Sequence, residues 1–206
     1  MKTKEDLRDS VSRETFERLE GLEALLLKWN PKINLIARND LPRMWNRHIL
    51  DSVQVFHHAH HPYRNWLDFG SGGGFPGLVC AILTLEQSSE VNFQLVESDS
   101  RKAVFLRQAA FELGLNVVIR AERIESLKAE AADVISARAL ASLTNLLHLC
   151  EPHLAPHTQL LFPKGRKVEA ELTQAGESWE MEVERIPSLT DPEATILRLT
   201  GVSARP

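Results

Sequence analysis

The sequence predicts an α/β protein: a doubly wound, Rossmann-like, mostly parallel sheet of seven strands preceded by an N-terminal helical extension. Three observations predict it. Apolar residues within positions 1–61 recur near every 3.6 residues, the period of a helix with one buried face. From Trp66 onward, strand-like and helix-like runs alternate. Where that alternation begins, a short strand runs directly into Gly70, Gly72, Gly73 and Gly74. Alternation of this kind requires right-handed crossovers, and such sheets hold their ligands at the carboxyl ends of the strands.

Taken in order, Phe16, Leu19, Leu22, Leu26 and Trp29 define a first amphipathic helix, with Ser10 or Ser12 as N-cap and Pro31 as its stop. A second helix starts near Asn39 or Asp40, is helped by Pro42, and carries Trp45, Ile49, Val53 and Phe56 inward. Strands are expected at 65–69, 92–97, 116–120, 133–137, 159–163, 180–186 and 194–200, and helices at 75–84, 99–113, 140–149 and 166–177. The last two strands leave no room for a helix between them, so they must pair antiparallel. That terminal hairpin resembles the one of class I methyltransferases and not a dinucleotide-binding domain. The expected division is an extension over residues 1–61 packed on a core over residues 62–206.

The stretch Asp68 to Gly77, DFGSGGGFPG, carries most of the functional information. Glycine there allows φ > 0 in a tight strand-to-helix turn and lets the backbone approach a nucleoside without a Cβ in the way. Pro76 suits the first turn of the following helix, where its missing N–H is no loss. The expectation is a loop of free backbone amides at a helix N-terminus. Gly72 and Gly77 are spaced as in a P-loop, but Leu78 and Val79 stand where Lys and Ser/Thr must hold phosphate and magnesium, so that reading fails. Gly72-x-Gly74-x-x-Gly77 formally satisfies the dinucleotide fingerprint. Asp68-x-Gly70-x-Gly72-x-Gly74 is the pattern of S-adenosylmethionine-dependent methyltransferases, whose leading acid ends the first strand.

Other candidate ligand groups fall at predicted strand ends. Glu97 closes the second strand, 23 residues beyond Gly74, where an acid can accept from ribose hydroxyls. Asp99 or Ser100 reads as the cap of the next helix. Ala121 and Glu122 follow the third strand, where a backbone N–H and an acceptor would meet an adenine ring. Arg138 follows the fourth, and its planar fork could hold a methionine carboxylate or an RNA phosphate.

Composition narrows the class. The 206 residues suit one domain with a sizeable core, and 43% apolar with 25% charged residues is ordinary for a globular protein. Cys80 and Cys150 form no CxxC pair and sit in apolar helical runs, as expected of reduced, buried thiols. The chain opens on charged residues without an apolar signal core, and no apolar run is long enough to span a membrane, so a cytoplasmic protein is expected. His57, His58, His60 and His61 lack companion cysteines or carboxylates and read as a polar helix end, not a metal site. A net charge of −4 argues against non-specific coating of nucleic acid. Between Lys28 and His48, however, five basic residues (Lys28, Lys32, Arg38, Arg43, Arg47) face one acid, Asp40, and a second cluster comprises Lys164, Arg166 and Lys167. On charge alone these read as two solvated faces; the sharper reading is a localised phosphate-binding surface that would steer RNA to one site.

Three segments, WNPKINLIARNDLPRMWNRHILDS (29–52), DFGSGGGFPGLVCAI (68–82) and ISARALASL (135–143), resemble the small-subunit (16S) ribosomal RNA guanine-N7 methyltransferase family, also called glucose-inhibited division protein B. The resemblance runs from about residue 14 to about residue 200, and generic methyltransferases lack the first segment. It implies S-adenosylmethionine as cofactor, 16S ribosomal RNA or the small ribosomal subunit as partner, a monomer, and cofactor contacts at Gly70, Phe75, Ala121, Glu122 and Arg138, joined by Gly72 and Glu97 from the motif reading. Where the family usually reads SRAFASL this chain has Ala137 to Leu143, with the arginine kept, and Glu97 stands where aspartate is common. Guanine N7 carries an in-plane lone pair and no proton, so no catalytic base is expected. Phe75 and Trp45 are candidates to stack on the target base, with packing the plainer role for both. Two other readings remain: a non-catalytic nucleotide-binding module would bind cofactor without transferring the methyl, and methyl transfer to a small molecule would leave the basic segment unexplained. A nicotinamide-dependent oxidoreductase lacks its Tyr/Lys pair, since the only tyrosine, Tyr63, precedes the loop.

Overall fold

The computed structural model describes residues 3–87 and 90–206. Its centre is one seven-stranded sheet in the order β3-β2-β1-β4-β5-β7-β6. The strands are β1 (Asn65–Phe69), β2 (Asn92–Val96), β3 (Val117–Arg120), β4 (Val134–Ala137), β5 (Gln159–Lys164), β6 (Trp179–Pro187) and β7 (Thr195–Ala204). The first five run parallel, while β7 is antiparallel to both β5 and β6, as the missing crossover helix demanded. Strand order reverses between β1 and β4, which opens a crevice beyond Phe69 and Ala137.

Helices α1 (Lys4–Arg8), α2 (Arg13–Ile33) and α3 (Asp51–His57) precede the sheet, and α4 (Gly77–Thr84), α5 (Ser100–Glu112), α6 (Leu143–Cys150) and α7 (Val168–Ala175) interleave with it. Ser12 caps α2, its Oγ accepting from Thr15 N at 3.2 Å. Pro31 does not stop that helix. In the last turn it removes one bond, to the carbonyl of half-exposed Leu27, and α2 continues to Ile33. Asn34, left-handed at φ 45°, ends it, and buried Asn30 fixes the reversal by accepting from Ile36 N at 2.9 Å. The predicted second helix is three kinds of helix in succession: a 3₁₀ segment Arg38–Arg43, a π-helical turn Trp45–Leu50 and then α3. Helix α4 begins at Gly77 with Pro76 as its N-cap, and α6 begins at Leu143, three residues later than expected, because Ser142 is its cap.

Two apolar clusters sandwich the sheet. One unites Leu19, Leu22 and Leu26 of α2 with Ile49, Val53, Trp66 and Phe105; the other gathers Phe69, Ile135, Leu147, Phe162 and Trp179 beneath α6 and α7. The first cluster runs without a break from the N-terminal helices into the sheet. Each fully buried leucine of α2 contributes about 2 kcal/mol of transfer free energy, which ties those helices to the rest. Among the described residues no helix is long and apolar enough to cross a membrane. Cys80 and Cys150 are buried free thiols, and burial pushes both thiols up in pKa.

Candidate functional site

At the switch point lies a cavity of about 710 Å³, within the ~300–1,000 Å³ usual for small-molecule sites. Of the predicted cofactor residues, Gly70, Gly72, Glu97, Glu122 and Arg138 line it. A larger hollow of about 900 Å³ lies at the opposite edge, where β1, β2 and β3 begin. It offers no glycine loop, so the switch-point cavity is the better ligand site.

The glycine loop holds its shape by positive φ: 67° at Gly70, 52° at Gly72 and 90° at Gly74. A Cβ on Gly74 would stand 2.5 Å from Leu78 Cδ1, so that glycine serves close packing. A Cβ on Gly72 would meet only Gly70 O, at 3.7 Å, leaving that position open toward a ligand. The expected array of free amides is not there. Gly70 N and Ser71 N donate to Val96 O, Gly72 N to Glu97, Gly74 N and Phe75 N to Ser71 O, and Gly77 N to Asp68. All the loop's donors but Gly73 N are thus engaged, within the loop or by Asp68, Val96 and Glu97, so it offers a ligand its shape more than its hydrogen bonds.

The two strand-end acids do different work. Asp68 is fully buried; its Oδ1 accepts from Ser136 Oγ at 2.6 Å and its Oδ2 from Gly77 N at 3.2 Å. Ser136 Oγ in turn accepts from Trp66 Nε1 at 2.9 Å. Asp68 thus pins the start of α4 to β1 and β4, and burial pushes its carboxyl up to about 6. Glu97, also buried, braces the loop: Oε2 accepts from Gly72 N at 2.9 Å and Oε1 from Asp99 N at 2.8 Å. Each oxygen keeps a second lone pair for a ligand at the cavity wall. Asp99 caps α5, as expected. Glu122 lies across the cavity, whereas Ala121 is exposed just past β3 and does not line it.

Phe75 also stays out of the cavity. Its ring is buried and stacks on His48, with centroids 4.9 Å apart. Trp45 stacks on Phe16 under Lys4 Nζ, 4.2 Å from its ring centroid. Both rings are packing residues here and neither is free to stack on a base.

Arg138 leaves β4 at the cavity but aims its guanidinium at the N-terminal helices. Nη2 donates to Arg47 O and lies 3.6 Å from Asp51 Oδ2, and Nη1 lies 2.6 Å from His48 Nδ1. The guanidinium makes no ion pair with Asp68 or Glu97, the acids at the neighbouring strand ends. Burial lowers the pKa of this arginine, and burial beside Arg138 lowers that of His48 to about 4. Beyond it Ala139, left-handed at φ 51°, and Leu140 form a strap over the loop; Leu140 Cδ1 would stand 2.8 Å from a Cβ on Gly70. Sequence reasoning missed the strap and His48. A non-glycine residue at positive φ leaves no mark in sequence, although Ser142 as a helix cap could have placed the strap before it.

The basic candidates divide by accessibility. Lys164 is nearly buried and donates to Ala141 O at 3.0 Å and Glu171 at 2.8 Å. Arg47 is paired with Asp191 at 2.6 Å. Arg166 is exposed but held by Glu193. Lys164, enclosed with two acceptors, and Arg47, partly exposed and paired, are therefore less open to a phosphate than the unpaired cations. Arg38 and Lys167 are exposed, as are Lys28 and Lys32, and none of these makes an ion pair among the described residues. Arg43 is exposed, 3.5 Å from Asp40. Among the described residues no group of three His, Cys, Asp or Glu side chains could hold a metal.

Sheet order, terminal hairpin and switch-point cavity define the fold of class I S-adenosylmethionine-dependent methyltransferases. A Listeria monocytogenes protein assigned to that class superposes with a TM-score of 0.63 at 13% identity, covering 93% of this chain and 71% of the other. M. jannaschii TYW2, solved in complex with AdoMet, gives a TM-score of 0.56 at 13% identity over 77% of this chain and 76% of its own. The chain belongs to the GidB family, rRNA small subunit methyltransferase G, which matches residues 15–197. It is 53% identical over 193 residues to the ribosomal RNA small subunit methyltransferase G of Cereibacter sphaeroides, 94% of each chain. To the protein of the same name from Ruegeria pomeroyi it is 50% identical over 195 residues, 94% of this chain and 95% of the other.

Proposed function

We propose that this protein transfers the methyl group of S-adenosylmethionine to N7 of a guanine in 16S ribosomal RNA, as a monomer in the cytoplasm. The family match along nearly the whole chain carries this reading. Residues 1–61 serve as an extension packed on the methyltransferase core of residues 62–206.

The site suits the cofactor on its own evidence: Gly72 leaves open the space a Cβ would fill, and carboxylates stand on two walls of the cavity. Glu97 would accept from the ribose hydroxyls while still bracing Gly72. Glu122, with the backbone N–H groups at Ala121–Glu122, would meet the adenine. Gly70 lets the chain pass close to the ligand, and Phe75 contributes by wedging the loop against His48. Arg138 lines the cavity edge with its fork turned to Arg47 O, His48 and Asp51, and the N–H groups these leave unused would steady the methionine carboxylate.

Bound there, the cofactor supplies an electrophilic sulfonium methyl. The protein's part is positional: the loop and strap would hold the donor, and docking of the RNA over the open cavity would exclude water from the reacting pair. N7 needs no deprotonation, and no residue is assigned as a base. RNA would approach over the exposed cations Lys28, Lys32, Arg38, Arg43 and Lys167, whose phosphate contacts position the strand.

The test is incubation of the protein with labelled S-adenosylmethionine and small-subunit ribosomal RNA from an unmodified source. Label on guanine N7 is expected. No incorporation, or label on another atom, would overturn the assignment.

A further inference from the structure

We propose that His48 is a positioning residue for methyl transfer, acting through Arg138; the inference rests on placing Arg138 at the cofactor site. A guanidinium can only donate, so the 2.6 Å contact makes His48 Nδ1 the acceptor and leaves the ring proton on Nε2. Nε2 then faces Asp40 Oδ2 at 3.8 Å and is otherwise unpartnered, and the side chain is only 10% exposed. The ring cannot turn freely, because it is stacked on Phe75 of the glycine loop. One face of His48 therefore reads the loop and one edge reads Arg138.

The consequence is geometric. Arg138 lines the cavity from the end of β4, yet the direction of its fork is set from the N-terminal segment by Arg47 O, His48 Nδ1 and Asp51. Arg47 O and Asp51 tolerate several orientations of a planar donor. The imidazole edge selects one. The π-helical turn Trp45–Leu50 is what brings Arg47 O and His48 to Arg138 together, and widened turns of this kind recur at functional sites. His48 thus fixes the guanidinium that fixes the cofactor tail, and the methyl inherits that placement.

A double-mutant cycle decides it. His48→Phe keeps a ring to stack on Phe75 and deletes the acceptor; Arg138→Lys deletes the fork. Single-turnover transfer at saturating cofactor and RNA is measured for wild type, both single variants and the double variant, below every melting temperature. His48→Phe should slow transfer about tenfold or more. The double variant should be no slower than Arg138→Lys alone, since one residue acts through the other. Wild-type rates in His48→Phe, or single-variant penalties that multiply in the double, would overturn the proposal. Should His48→Phe fail to fold, His48→Gln carries the same cycle. Failure of the wild-type enzyme to methylate at all would instead sink the methyltransferase reading.

Discussion

Asp68 and Gly77 show how little room single residues have at this site. A methyl on Gly77 would lie 2.6 Å from Asp68 Oδ2, the atom that accepts from Gly77 N. Gly77→Ala should therefore cost about 1–3 kcal/mol. It should lower the urea midpoint at unchanged m-value, and an unshifted midpoint would contradict the close approach. Asp68 and His48 also set opposing pH dependences. The His48 pKa falls from 6.5 to about 4, so the unfolded chain takes up its proton first and stability is lost as pH drops through that window. The Asp68 pKa rises from 3.8 to about 6, so its contribution is present at low pH and lost as pH rises through about 6. Each effect is about 3 kcal/mol at most, and across the overlapping window they largely cancel. Asp68→Asn should unmask the histidine, with a melting temperature that falls more steeply than wild type from pH 7 to 5. His48→Phe should lose less than wild type over the same interval. Parallel profiles for all three proteins would refute the assignment. Asp68 was legible from the motif as the leading acid; that it binds protein and not ligand was not, since that depends on Ser136 and Gly77 arriving from elsewhere.

At the scale of elements, the glycine loop, β2 and α5 form one unit through Glu97, whose two oxygens hold Gly72 N and Asp99 N. Glutamine offers a single acceptor oxygen, so Glu97→Gln must release one of these amides. Cofactor affinity should fall about tenfold by calorimetric titration, with helix α5 less stable at its capped end. Undiminished affinity would remove Glu97 from the wall of the site. The strands and most helices were readable because period-2 and period-3.6 patterns are local properties of the chain. Pro31 misled because one missing bond near a solvated helix end is cheap, and the real stop, Asn34, is a backbone conformation. The segment 38–57 read as one helix because its apolar spacing is helical throughout; its change from 3₁₀ to π to α follows from packing around Met44, Ile49 and Leu50.

Across the whole molecule, most charges are interleaved in ion pairs, as where Glu184 and Glu180 of the edge strand β6 meet Arg198 and Arg205. Lys28, Lys32 and Arg38, by contrast, are exposed without an ion pair among the described residues, and with Arg43 they lie at the end of α2 and on the segment after it. Charge neutralisation of those four by alanine should flatten the log–log salt dependence of RNA binding by roughly 0.7–0.9 for every phosphate no longer neutralised. Lys164→Ala is the contrast: it takes the Nζ donor from Ala141 O and leaves Glu171 with Leu143 N alone, so it should lower the melting temperature and leave the salt slope alone. A reversed outcome would return Lys164 to the RNA surface. The sequence by itself determined the strand and helix order, the antiparallel ending, the glycine turn and the acids at the strand ends. Each depends on residues close together in the chain and on chemistry that glycine, proline or a carboxylate carries anywhere. Only the tertiary structure decided which cations are free, where Arg138 points and that nearly all the loop amides are already engaged. Arg138 meets Arg47 across 91 residues and Arg47 meets Asp191 across 144, and no local pattern encodes which distant partner a long charged side chain will reach once the core has closed.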